Sequence, residues 1–165
     1  DAVWASPPCQ GYMGAATGKA AQTPRLIGKT RTRIQTSGLP YIIENVMGAE
    51  IFLENPIMLC GSMFESPVQR HRMFEASFRV LNKSHIRCRK FKDGIKSDPY
   101  YQSFLAKDPR IFTVSGHGRG VATFELWKEW MHMPWVEVYQ ELTEAIPPYY
   151  SEFLGLQMIR ECFHA

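Results

Sequence analysis

The stretch Ser6-Pro7-Pro8-Cys9-Gln10, reached at the end of the apolar run Ala2-Val3-Trp4-Ala5, limits the folds open to this chain more than any other. An apolar run of strand length that halts at two prolines reads as a buried strand breaking into a stiff loop, because proline has no N–H with which to continue a ladder. The loop delivers Cys9. A cysteine in that place is either a small buried apolar group or a nucleophile. Ligands gather outside the carboxyl ends of strands in open α/β sheets, which favours the nucleophile.

The residues after Cys9, from Gly11 to Gly18, are too rich in glycine for a stable element and read as a loop. Thr23-Pro24 has the pattern of a helix cap followed by proline at the first helical position, and predicts a basic helix from Arg25 to Thr36 closed by Gly38. Tyr41-Ile42-Ile43 is a second strand. The order strand, helix, strand from Ala2 to Val46 is that of a right-handed parallel crossover, which puts the ends of both strands on one edge of the sheet. Glu44 then comes close to Cys9. A carboxylate directly after an apolar strand is either a cap or surface ion pair or, if buried without partners, a group whose pKa rises until it can donate a proton.

Between Ile51 and Phe64 the pattern gives a loop and a short strand, and Met73 to Val80 reads as a further strand with imperfect alternation. Gln69-Arg70-His71-Arg72 leads into it. In a strand Arg70 and Arg72 share one face, either as a pair suited to a phosphate, a carboxylate or a base carbonyl, or as a ladder of surface charges. Ile111 to Val114 predicts another strand, and Ser115 to Gly120 a turn that lacks the GxGxxG phosphate fingerprint. Phe124 to Met133 is amphipathic with Trp127 and Met131 inward, Val136 to Ala145 is a short helix, and Pro147-Pro148 opens a last helix from Tyr149 to about Phe163. The whole reads as α/β. His85 and Cys88 make a single HxxC, too little for a zinc site, so no metal is expected.

The net charge is only +3, but it is unevenly placed. Lys19, Arg25, Lys29, Arg31 and Arg33 follow one another without an acid. From Arg70 to Asp98 nine bases stand against three acids, and from Glu125 to Glu161 seven acids stand against Lys128 and Arg160. Unless these runs are solvated faces, a polyanion meets the first two thirds of the chain. The four cysteines, Cys9, Cys60, Cys88 and Cys162, form no CxxC pair, and no apolar run nears the ~20 residues that cross a bilayer, so a cytoplasmic protein is expected. At 165 residues the chain has the length of one domain. It opens at Asp1, already at a strand, so a preceding segment is expected.

Ser6-Pro7-Pro8-Cys9-Gln10, Glu44-Asn45-Val46, Gln69-Arg70-His71-Arg72 and Ala145-Ile146-Pro147-Pro148 stand in the order and rough spacing of the DNA cytosine-5 methyltransferases. The resemblance covers essentially the whole chain and is greatest to small phage-encoded members with little separate target-reading domain. It implies a Rossmann-like, S-adenosylmethionine-dependent methyltransferase fold. Residues 1–165 would be its C-terminal catalytic part, a mostly parallel sheet flanked by helices, with 83–110 as a reduced target-reading insertion.

The same resemblance implies that Cys9 attacks C6 of a cytosine flipped out of double-stranded DNA, while Glu44 contacts the exocyclic amine and N3 and supplies a proton. C5 then takes the methyl group of S-adenosyl-L-methionine, and loss of the C5 proton expels the thiolate. Arg72 and Arg70 would support the site and hold the base carbonyl. Pro8, Gln10, Asn45 and Val46 would line the substrate, and Pro7, Glu144, Ala145 and Ile146 the cofactor. The family's Phe-x-Gly-x-Gly cofactor loop belongs upstream of Asp1 or on a separate chain. Thr143-Glu144 stands where Gly-Asn is common, and Val68 where a Gln often precedes the two arginines. Two other functions are open: the family's branch that methylates tRNA, and a non-catalytic DNA-binding remnant or half of a split enzyme.

Overall fold

A computed structural model describes residues 1–13, 22–66, 68–85 and 124–163. They fall into two compact units, the first drawn from Asp1–Leu59, His71–Asn82 and Glu152–Ala165, the second from Cys60–Arg70 and Lys83–Ser151.

In the first unit, β1 (Val3–Ala5) ends ahead of the two prolines as the sequence predicts. With β2 (Tyr41–Asn45), β3 (Ile57–Leu59) and β4 (Arg72–Ala76) it forms one sheet in the order β1-β2-β4-β3. The parallel crossover is present, with Trp4 opposite Ile42. β4 runs antiparallel to both its neighbours. Three strands therefore point one way and β4 the other, so the sheet is mixed rather than mostly parallel in its pairings. The cause lies in the connection from β3: it passes through a 3-10 turn at Gly61–Phe64, and β4 then returns antiparallel between β3 and β2.

The crossover helix α1 (Ile27–Gln35) lays Ile27 and Ile34 over the sheet face that carries Tyr41, Ile43 and Met73. Its start differs from the cap predicted at Thr23-Pro24. The N-cap residue, Leu26, offers no side-chain bond; the N–H of Ile27 donates instead to the Tyr12 hydroxyl at 2.8 Å. An orphan donor of the first turn is thus met by the loop that follows Cys9. Gly38, at φ +67, closes the far end in the left-handed conformation that only glycine adopts freely.

On the same side of the sheet Glu75, 1 % exposed, gathers four donating groups. Arg31 reaches both carboxylate oxygens, Nε to Oε1 at 2.7 Å and Nη2 to Oε2 at 2.6 Å, while Nη2 also donates to the Phe52 carbonyl at 2.7 Å. The Tyr41 hydroxyl donates at 3.1 Å and the Glu54 N–H at 2.8 Å. Burial alone would push the Glu75 carboxyl up, but the bonds from Arg31, Glu54 and Tyr41 outweigh it and hold it below the usual carboxylate range. Arg31, one of the bases expected to face a polyanion, is committed to fastening α1 to β4.

In the second unit a 3-10 turn at Gly61–Phe64 is joined by α2 (Phe124–Trp130) and α3 (Tyr139–Glu144). Its core is Val68, Trp127, Met131, Met133, Val136 and Leu142, with Trp127 and Met131 inward as their spacing predicts. A Cβ at Gly61 would stand 1.9 Å from the Val68 carbonyl oxygen, so this turn admits glycine alone. The last helix, α4 (Pro148–Phe163), opens on proline as expected and continues from this unit into residues of the first. The strand predicted at 111–114, the turn at 115–120 and nearly all of the insertion at 83–110 lie outside the described residues. Among the described residues, no helix is long and apolar enough to cross a membrane.

Candidate active site

The first unit collects the chemistry on the edge where β1 and β2 end. Past β1 the chain runs through Ser6-Pro7-Pro8 to Cys9, which precedes a 3-10 turn at Gln10–Tyr12 with φ −85 and ψ −14. Cys9 is a free thiol, half-buried, between exposed Pro8 and exposed Gln10. The loop is tied on both sides of it. Upstream, Asn45 Nδ2 donates to the Pro7 carbonyl at 2.8 Å, and Asn45 Oδ1 accepts the Val46 N–H at 3.0 Å. Downstream, the Cys9 carbonyl accepts the Tyr12 N–H at 2.9 Å, and Arg25 Nε donates to the Gly11 carbonyl at 3.0 Å. A Cβ on Gly11 would stand 2.8 Å from the Thr23 carbonyl oxygen, so the turn packs too closely there for a side chain.

Glu44 reaches this edge because β1 and β2 are parallel, with Ala5 opposite Ile43. Arg72 reaches it because β4 is reversed. Glu44 pairs with Phe74, and Arg72, two residues before Phe74, shares its face. Arg72 Nε lies 3.0 Å from Glu44 Oε1, with the two side chains 17 % and 10 % exposed. The carboxylate is therefore neither an exposed surface charge nor buried without a partner: it is held by a guanidinium. Losing either member would leave the other charge in a mostly dry place, which is strongly destabilising. Trp4, on the same face, meets the Phe74 ring edge-on at 5.9 Å.

Arg70 falls in the second unit. β4 begins at Arg72, so the strand alternation that would have put both arginines on one face does not extend back to Arg70. It is buried in the second unit, where Nη2 donates to the Thr143 carbonyl at 2.6 Å and its own carbonyl accepts from the Tyr150 hydroxyl. Val46 is half-buried against the core beneath α1. Asn45, expected at the substrate, spends its amide on the loop.

Of the residues assigned to a nucleoside cofactor, Pro7 has its carbonyl taken by Asn45. Glu144 accepts from Gln140 Nε2 at 2.9 Å along its own helix, and Ala145 packs on the core of the second unit, followed by half-buried Ile146. The ribose hydroxyls and amino group of such a molecule need carboxylate and carbonyl acceptors. Pro7 lies in the first unit, and Glu144, Ala145 and Ile146 lie in the second.

Two contributors escape sequence reasoning. Tyr12 is a lone aromatic within a glycine-rich loop, and that oddity is the one signal it gives. Arg25 looks like any other base of its run. The exposed bases left on α1 for a polyanion are Lys29 and Arg33. Replacing Asn45 with alanine is expected to cost about 1–2 kcal/mol in denaturant unfolding, since it orphans the half-buried Pro7 carbonyl. It is also expected to change the rate at which Cys9 is alkylated, because the upstream tie of the loop is lost. Comparison of the chain with protein-family models, with curated proteins and with solved structures finds no match.

Proposed function

We propose that this chain carries the catalytic thiol and carboxylate of a DNA cytosine C5 methyltransferase with a Rossmann-like methyltransferase fold. It would act in the cytoplasm on double-stranded DNA. The observation that supports this best is Cys9 on a loop tied at both ends, at the same sheet edge as a carboxylate oriented by Arg72.

A pyrimidine is a poor electrophile at C6 unless charge building on N3 is met, so a thiol and a carboxyl are the pair that this chemistry asks for. As the Cys9 sulfur gives up its proton and bonds to C6, the C5=C6 double bond opens and N3 takes that proton, passed through the Glu44 carboxylate. C5 becomes an enamine carbon. Arg72 keeps the carboxyl turned toward the base. S-adenosyl-L-methionine, the donor implied by the resemblance, supplies an electrophilic methyl carbon when bound. The cytosine must leave the base stack to be reached, and Lys29 and Arg33 on α1 can hold the backbone meanwhile.

Addition at C6 makes C5 basic enough to take a proton from water, and elimination then exchanges the C5 hydrogen without any methyl donor. Tritium release from duplex DNA labelled at cytosine C5 is therefore the expected result, with tRNA failing to compete. Release from tRNA alone would move the assignment to the RNA branch. No release from either would leave a non-catalytic binding remnant.

A further inference from the structure

Arg25 touches both the loop of the nucleophile and solvent. Its Nε donates to the Gly11 carbonyl, two residues past Cys9, and its guanidinium carbon lies 4.7 Å from the centre of the Phe52 ring. Phe52 in turn meets the Tyr12 ring at 5.1 Å. Tyr12 holds the Cys9 carbonyl through its N–H and the first N–H of α1 through its hydroxyl. Arg25, Phe52 and Tyr12 thus form a stack that sets the turn after Cys9 against the start of α1. Arg31 and Arg72 face buried or half-buried carboxylates, but Arg25 is exposed, and its two terminal nitrogens meet no acceptor among the described residues.

We infer that Arg25 is a positioning residue that couples phosphate binding to the placement of Cys9. Nε keeps the Gly11 carbonyl while the outward nitrogens take a backbone phosphate, a coupling that rests on the nucleic-acid reading above. A guanidinium is planar, with donors in a fixed fork, so a phosphate gripping one edge also fixes where Nε–H points. The Phe52 ring beneath keeps that plane in place. A lysine carries the same charge but has no fork, and it can serve the phosphate without aligning the loop.

The test is Arg25→Lys and Arg25→Ala, each checked by circular dichroism for an unchanged fold. At saturating duplex DNA, R25K is expected to slow C5-hydrogen exchange about tenfold, the worth of one hydrogen bond to a charged donor, while leaving DNA affinity within about twofold. R25A is expected to slow exchange and also to weaken binding, lowering the salt slope by about one unit for the lost phosphate contact. A second readout needs no nucleic acid: R25K should change the alkylation rate of Cys9 by iodoacetamide, mapped by peptide mass. R25K that exchanges and alkylates at the parent rate overturns the inference. No exchange by the parent chain overturns the catalytic reading and the coupling with it, whereas unchanged alkylation in R25K overturns the tie to Cys9 itself.

Discussion

Replacing Cys9 with alanine is expected to abolish exchange of the cytosine C5 hydrogen, a loss on the order of 10⁴-fold or more, because among the described residues Cys9 is the thiol carried by the loop at this edge. Cys60 is buried in the second unit, and Cys162 lies in the last turns of α4, away from the loop by sequence and by element. DNA affinity should survive, since under the proposed function the phosphates would be met by Lys29, Arg33 and Arg25 rather than by the thiol. The fold should survive too: the loop is held by the Pro7 and Gly11 carbonyls and the Cys9 backbone. Glu44→Gln separates the two roles in the site. It keeps the shape of the side chain but removes the proton carrier, and should slow exchange by about 10²-fold or more while Cys9 remains alkylatable. Exchange unchanged in Cys9→Ala would remove the basis for any thiol mechanism.

Replacing Glu75 with alanine is expected to cost about 3–5 kcal/mol of stability, the largest effect of any single change outside the site. It removes the acceptor of two Arg31 hydrogen bonds, of the Tyr41 hydroxyl and of the Glu54 N–H together, leaving Arg31 with the Phe52 carbonyl and the more exposed Glu54 carboxylate at 3.4 Å. The pH dependence follows from the direction of the shift. The folded carboxyl is held below its ordinary value of 4.5, so the unfolded chain takes up the proton first as the pH falls. Its contribution is therefore complete above the ordinary range and is lost as the pH falls through the folded value. Burial, with the negative Glu75 nearby, raises the Tyr41 hydroxyl above 10, so that residue's contribution is lost only in alkali, as the unfolded chain ionises first. Denaturant midpoints for the parent and for Glu75→Gln, compared at neutral pH and near pH 3, should show the acid loss in the parent and a smaller one in the glutamine variant. Equal acid losses would mean that Glu75 is not the group responsible.

Local chemistry made much of this fold legible. The prolines at 7 and 8 end a strand, the proline at 148 starts a helix, and Trp127 and Met131, four apart, face one core, since each depends on near neighbours in the chain. The parallel pairing of β1 with β2 was legible as well, because a strand, helix, strand order fixes the edge on which both strands end. The direction of β4 was not. Nothing in Arg72–Ala76 states that β4 is reversed, so the pairing of Arg72 with Glu44 could not be read from the chain. The start of α1 was missed because its donor finds Tyr12, 15 residues away, rather than Thr23. Arg31 read as one of a run of bases facing a polyanion because Glu75 stands 44 residues further on. Each miss is a contact between distant residues overriding a local preference.

The measurement that bears most directly on the thiol chemistry uses duplex DNA with 5-azacytosine at one position. Attack at C6 there lets the ring nitrogen at position 5 take a proton from solvent, and with no C5 hydrogen to lose, the adduct persists without a methyl donor. After denaturation, a species with the combined mass of protein and DNA is expected, its cross-linked peptide containing Cys9 and its yield falling to nothing in Cys9→Ala. No adduct, or one on Cys60 or Cys162, would contradict the assignment of Cys9 as the nucleophile.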